Sequence, residues 1–237
     1  IFLAMDENQF LYANTANGMF RSSDAGVSWE YANSGLTSFG IRGILPAEDV
    51  IVTATSCGIY RSSDQGETWQ TSNTGCTNVA VVSLCQNSKG DLFAGTNSGV
   101  FRSADQGANW EMRNTGLITL YLRDLEIDSD DQLYVSTNQN GVWRSTNDGA
   151  AWEPVGDNLD KSTIYGLAVN SSDEVFVATY NSIYLLQDSS DHWDCIANNV
   201  FGGTVNALEI DSHDHIWVGS GQGVYRSDDK GATWEHR

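Results

Sequence analysis

Proline is nearly missing from this 237-residue chain, with 2 in all, and basic residues are scarce, 12 against 31 acids. So little proline argues against a polyproline linker or a proline-rich disordered tract. A net charge of −19 excludes a nucleic-acid backbone or an anionic bilayer as partner, since both need a positive surface. No apolar run approaches the ~18 residues of a membrane span, so membrane insertion is not expected. No signal peptide or lipidation motif is legible, and a start at Ile1 is compatible with removal of an upstream segment.

Metal and redox signatures are lacking too. Cys57, Cys76, Cys85 and Cys195 show no CxxC spacing, which signals neither a zinc site nor a disulfide framework. Cys76 fills a slot held by Leu36 and Leu117 elsewhere and reads as a small buried apolar residue. His192, His213, His215 and His236 suggest no metal or nucleophile constellation. No metal and no cofactor are expected.

What the chain has is repetition. GMFRSSDAGVSWE starts at Gly18, GIYRSSDQGETWQ at Gly58, GVFRSADQGANWE at Gly99, GVWRSTNDGAAWE at Gly141 and GVYRSDDKGATWE at Gly223. A worn copy, SIYLLQDSSDHWD, starts at Ser182. Their tryptophans, Trp29, Trp69, Trp110, Trp152, Trp193 and Trp234, recur at a nearly constant spacing of about 41 residues. Each unit holds four strand-like runs with turn residues between them. In the fourth these are strand A at 121–127, B at 133–137, C at 142–145 and D from Trp152, and the same letters serve for every repeat. Four short strands per repeat are the dimensions of a propeller blade. The expected fold is all-β, a six-bladed β-propeller of four-stranded antiparallel blades forming one domain over 1–237. A subset of blades from a larger ring is the second architecture, and a larger multidomain protein around this one is admitted.

The motif S-x-D-x-G-x-x-W stands at Ser22–Trp29, Ser62–Trp69, Ser103–Trp110 and Ser227–Trp234. Asn147 replaces Asp in the fourth copy, and the fifth keeps only Asp188 and Trp193. This pattern resembles the Asp-box, or BNR, repeat, and the text before each box is similar to bacterial propellers of the photosystem II assembly-factor and two-component-regulator types. Asp-boxes also occur in sialidases, xyloglucanases and sortilin-type receptors, so the resemblance implies a fold far more than a function. It also implies that the box lies away from the ligand face. The physical role of the box is local. Ser and Asp accept turn N–H groups, Gly supplies positive φ, and Trp anchors the last strand. Arg21, Arg61, Arg102, Arg144 and Arg226 recur just before the box Ser and read as stems over apolar surface paired with acids.

Up-and-down blades place the A–B and C–D turns at one end and the B–C and D–A connections at the other. Roughly two thirds of the 31 acids fall in the first set, including Glu48, Asp128, Asp130, Asp131, Asp173, Asp188, Asp211 and Asp214. Solubility is the plain reading of that acidic rim; Asp128, Asp130 and Asp131 lack a full calcium-loop pattern. The other rim is nearly neutral, with Arg42, Arg113, Arg123, Lys161, Asp124, Asp157 and Asp160 among its few charges. There the start of strand A varies between repeats: Arg42, Val82–Ser83, Arg123–Asp124, Tyr165 and Asn206. Phe39, Tyr121, Tyr180 and Phe201 are aromatics that fall out of register nearby. The candidate ligand-binding set is Arg42, Tyr121, Arg123, Asp124, Tyr165 and Asn206, fitted to a carbohydrate or an extended peptide.

For a hydrolase the sequence is poor. The opening arginine motif of sialidases is missing, and Asp124 is the one acid clearly near the mouth where two are needed. The expected function is a non-catalytic, secreted, periplasmic or cell-surface binding or sensing propeller; a sialidase-like or xyloglucanase-like hydrolase is the alternative.

Overall fold

The computed structural model describes residues 3–15, 17–47, 49–77, 79–159, 161–187 and 191–237. Glu48, Asp160 and Asp188, singled out above, lie outside the described residues. The architecture is all-β: six four-stranded antiparallel blades of the β-propeller type, each built from four strands consecutive in sequence. In the fourth blade the strands are Leu122–Ile127, Leu133–Thr137, Val142–Ser145 and Glu153–Val155, within a residue or so of the expected bounds.

The blades group into two compact units, 1–114 with the first three and 115–237 with the last three. Within each unit the A strands of consecutive blades lie side by side. The core sits between blades, because strand alternation gives each blade two faces and only a neighbouring blade can cover them. Tyr12, Met19, Ile41, Ile51, Tyr60 and Trp69 join the first two blades, and Val52, Ile59, Val81, Leu92, Phe101 and Trp110 the next pair. In the second unit Tyr134, Val142, Ile164, Leu167, Val177 and Trp193 do the same, followed by Phe176, Ile183, Phe201, Val205, Leu208 and Val218. A large apolar side chain fully buried in this way contributes roughly 1.5–3 kcal/mol.

The box residues behave as expected. In the second blade Ser62 Oγ accepts the Gly66 N–H at 2.8 Å and donates to Asp64 Oδ1 at 2.7 Å. Asp64 Oδ1 then accepts the Thr68 N–H at 2.8 Å. Gly66 takes φ +80° and Gln65 before it φ +56°, so the turn passes through two left-handed residues. Asn147 keeps the pattern by accepting the Ala151 N–H at 2.8 Å. Where the box is worn, the fifth blade forms a longer last strand, His192–Asn198, against two or three residues elsewhere.

The acidic rim is more than a solvated face. In the second unit Ser129 donates its N–H and hydroxyl to Asp173 of the next blade at 2.8 and 2.7 Å. Ser171 does the same to Asp214 at 2.9 and 2.6 Å. Asp173 and Asp214 sit at φ +62° and +61°, the turn position from which a short carboxylate reaches across. Asp128 is buried and its oxygens accept from Asp130 N, Gln132 N, Gln132 Nε2 and Tyr134 Oη, so it closes its own turn. Four of the five repeated arginines pair as read: Arg21 with Glu30 at 2.6 Å, Arg102 with Asp91 at 2.6 Å, Arg144 with Glu153 at 2.8 Å and Arg226 with Asp228 at 2.6 Å. All four cysteines are free, and burial pushes the Cys76 thiol up to about 12.

Candidate functional site

The varying residues of strand A share one structural position. In the second blade the ladder slips between Ile41 and Gly43, which leaves Arg42 as the extra residue of a β-bulge. The same slip leaves out Val82, Arg123 and Asn206 in the third, fourth and sixth blades. In the fifth, Tyr165 N–H reaches the Ala178 carbonyl at 2.7 Å while Gly166 faces the same Ala178, so Tyr165 holds the equivalent place. A bulge re-aims its side chain away from the regular pleat. Each of these five blades thus presents one freely chosen side chain at the end of strand A next to the B–C loop.

In the second unit three of the candidates come together. The Arg123 guanidinium lies over the Tyr165 ring, 5.2 Å from its centroid, and its Nε donates to the Ile164 carbonyl at 3.2 Å. Tyr165 is half-buried under it, which leaves Arg123 exposed but held. Asp124 points along the strand edge, where Oδ2 accepts the Leu167 N–H at 3.3 Å and Oδ1 the Leu125 N–H at 3.0 Å. Its carboxylate therefore serves main-chain donors of two blades. Tyr121 is exposed just before the strand, and Asn206 is exposed at its own bulge. Arg42 is exposed in the first unit.

Two readings of nearby residues change. Phe201 is fully buried and packs edge-on against Tyr225 and Trp234, with centroids 5.3 and 4.9 Å away, so it belongs to the core and not to a mouth. Phe39, Tyr121 and Tyr180 remain exposed. Of the histidines, read as forming no constellation, His213 and His215 lie beside Asp211, with one ligand atom of each of the three within 4.8 Å of the others. Asp157, counted with the neutral rim, is engaged by His192 Nδ1 at 3.0 Å.

Sequence reasoning missed Glu126 and Glu209. Glu126 follows Asp124 by two residues on the same face of strand A, and burial pushes its carboxyl well up, with Asp124 and Glu209 adding to the effect. Burial raises Glu209 as well. The slot that both fill is Leu45, Cys85 or Ala168 in other blades, so the signal was legible as a break in the repeat. Elsewhere in the second unit a pocket of about 340 Å³ opens beside Gln139 and Asn140, floored by Ile118, Trp143 and Pro154, with Lys161 at its edge.

The BNR/Asp-box repeat profile matches residues 60–71, the second of the boxes described above. The match covers that one box; the other copies are read from the repeat in the sequence. No curated protein matches it in sequence. Among solved structures it is similar to the extracellular domain of a protein assigned as a one-component system from B. thetaiotaomicron, with TM-score 0.81 and 16% identity over 99% of this chain and 32% of that one. It is similar to a GH74 xyloglucanase from Xanthomonas campestris, with TM-score 0.78 and 17% identity over 99% and 44%. YCF48 from Cyanidioschyzon merolae gives 0.76 and 14% over 99% and 83%, and YCF48 bound to a D1 peptide gives 0.74 and 18% over 94% and 75%. The chain spans less than half the length of the first two. Among the described residues no helix is long and apolar enough to cross a membrane.

Proposed function

We propose that this protein is a non-catalytic binding or sensing propeller, acting outside the cytoplasm, that takes a carbohydrate or extended peptide where the A-strand bulges project. One observation carries the reading. The position at which each repeat departs most from its siblings is also the position that the bulge turns out of the ladder. A residue freed from pairing and free to vary is suited to recognition. Arg123 would bind a carboxylate or hydroxyls, with Tyr165 beneath it as an apolar platform and Tyr121 as an exposed one. Asn206 would add an amide, and Asp124 would hold the strand edges of the fourth and fifth blades; in the first unit Arg42 would offer a guanidinium at its own bulge. The similarity to an extracellular sensor domain and to a peptide-binding propeller supports this class. That the six repeats act as one domain is part of the proposal.

A hydrolase is the second reading, favoured by the similarity to a GH74 xyloglucanase and by the added acids Glu126 and Glu209 beside Asp124. Against it, Asp124 is committed to main-chain N–H groups. Assays with aryl-glycosides and xyloglucan separate the two. Binding without turnover supports the proposal; turnover lost in Asp124→Asn or Glu126→Gln replaces it with the hydrolase.

A further inference from the structure

The A–B turn of the sixth blade reads Asp211-Ser-His213-Asp-His215, where the two preceding blades read Asp128-Ser-Asp-Asp-Gln132 and Asn170-Ser-Ser-Asp-Glu174. In all three the first side chain closes the turn. Asp211 Oδ1 accepts His213 N at 2.9 Å and His215 N at 3.1 Å, as Asp128 Oδ1 accepts Asp130 N at 3.1 Å and Gln132 N at 2.8 Å. His215 Nδ1 meets Asp211 Oδ2 at 2.9 Å, in the place where Gln132 Nε2 meets Asp128. Turn closure therefore accounts for Asp211 and His215. It does not account for His213, which is exposed at a position held by Asp130 and Ser172 elsewhere. Its ring stacks on His215, centroids 5.6 Å apart and 14° from parallel.

We propose that Asp211, His213 and His215 bind a divalent ion of the zinc class. The three offer a carboxylate oxygen and two imidazole nitrogens within 4.8 Å of one another. Two imidazoles with one carboxylate suit Zn²⁺, Cu²⁺ or Ni²⁺ and are a poor set for Ca²⁺ or Mg²⁺, which favour all-oxygen ligands. Metal–ligand bonds of about 2.0–2.2 Å ask for a modest closing of the three groups, which the exposed His213 can supply by rotating. One outer-shell partner is in place, since Trp217 Nε1 donates to Asp211 Oδ2 at 2.9 Å. Arg226 donates to His215 Nε2 at 3.1 Å and is paired with Asp228 at 2.6 Å, so it gives up the ring contact when the metal binds. Three protein ligands leave a fourth position open to water or to a donor from a partner.

The test is calorimetric titration of the whole chain with Zn²⁺ after alkylation, since Cys57 and Cys195 are exposed thiols. One ion per chain is expected. His213→Ser copies Ser172, and His215→Gln copies Gln132, so each keeps a turn that the repeat already tolerates. Loss of an outer-shell partner alone costs 10–100-fold in metal affinity, so each variant should bind roughly tenfold or more weakly. His213→Ser alone decides the case should His215→Gln disturb the turn, because His213 is exposed. Absence of saturable Zn²⁺ binding, or affinity unchanged in His213→Ser, overturns the site.

Discussion

The main-chain N–H of Trp110 donates to the Thr74 carbonyl of the preceding blade at 2.8 Å, and Gly75 packs directly on the Trp110 carbonyl. The same clasp joins Trp69 to Ser34 at 2.8 Å and Trp152 to Thr115 at 2.9 Å, with Gly35 and Gly116 in the place of Gly75. Trp69, Trp110 and Trp152 thus each receive the chain that leaves the preceding repeat. The indoles of Trp69 and Trp193 extend the clasp by donating to Ala32 at 2.8 Å and Val155 at 3.0 Å. The box is a joint between blades as well as a turn within one.

Gly75 has no room for a Cβ against the Trp110 backbone and sits at φ +85°. Gly75→Ala should therefore cost about 2 kcal/mol or more. Gly221→Ala, where nothing lies within 4 Å of the added carbon, should be near neutral. Denaturant melts of the two variants check this, and equal losses would remove the clasp from the account.

Ser62→Ala strips the buried Gly66 N–H of its acceptor and should cost about 1–3 kcal/mol. Asn147→Asp restores the commoner box residue at an acceptor already bonded to Ala151 N and should change the melting temperature little. A thermal melt of both decides it.

Burial raises the Glu126 carboxyl above the usual glutamate range, so the folded state holds its proton more tightly than the unfolded chain. Its favourable contribution is full below the unfolded pKa and is lost as pH rises through the folded one. Glu126→Gln should thus raise the melting temperature at about pH 8 and leave it nearly unchanged at about pH 4. Asp24 runs the other way. The Ser28 hydroxyl and N–H, with Ser22, hold it down to about 2, so its contribution is present above the usual aspartate range and fades only as pH falls towards that value. A melting series across pH tests both signs.

Phe201→Ala should cost about 3–5 kcal/mol, since the ring is fully buried against Tyr225 and Trp234. Tyr121→Ala and Tyr180→Ala, at 58% and 59% exposed, should stay within about 0.5 kcal/mol. Chemical denaturation of the three separates core aromatics from surface ones.

The blades were legible because their period, their turn residues and their tryptophans repeat, and repetition is visible in sequence without any contact being known. The bulge was half legible. Arg42, Arg123, Tyr165 and Asn206 stood out as variable, but only the ladder shows that Arg42, Arg123 and Asn206 are the extra residues of bulges. Phe201 misled because an aromatic outside the repeat register looks exposed until its partners on the sixth blade are known. The histidines were read as forming no constellation, and the turn that passes through the left-handed Asp214 at φ +61° sets His213 and His215 beside Asp211. Glu126 was visible as a break in an otherwise apolar slot, but its raised pKa comes first from burial, with Asp124 on its own strand and Glu209 on another adding to it.

The claim that the bulge row recognises a ligand is tested most directly by probing glycan and peptide arrays with the wild-type chain, Arg123→Ala and Tyr165→Ala, alongside thermal melts. The account predicts capture by the wild type, loss of roughly tenfold or more in each variant, and melting temperatures that stay close to wild type for Arg123→Ala. Capture that is unchanged when Arg123 and Tyr165 are both removed would contradict it.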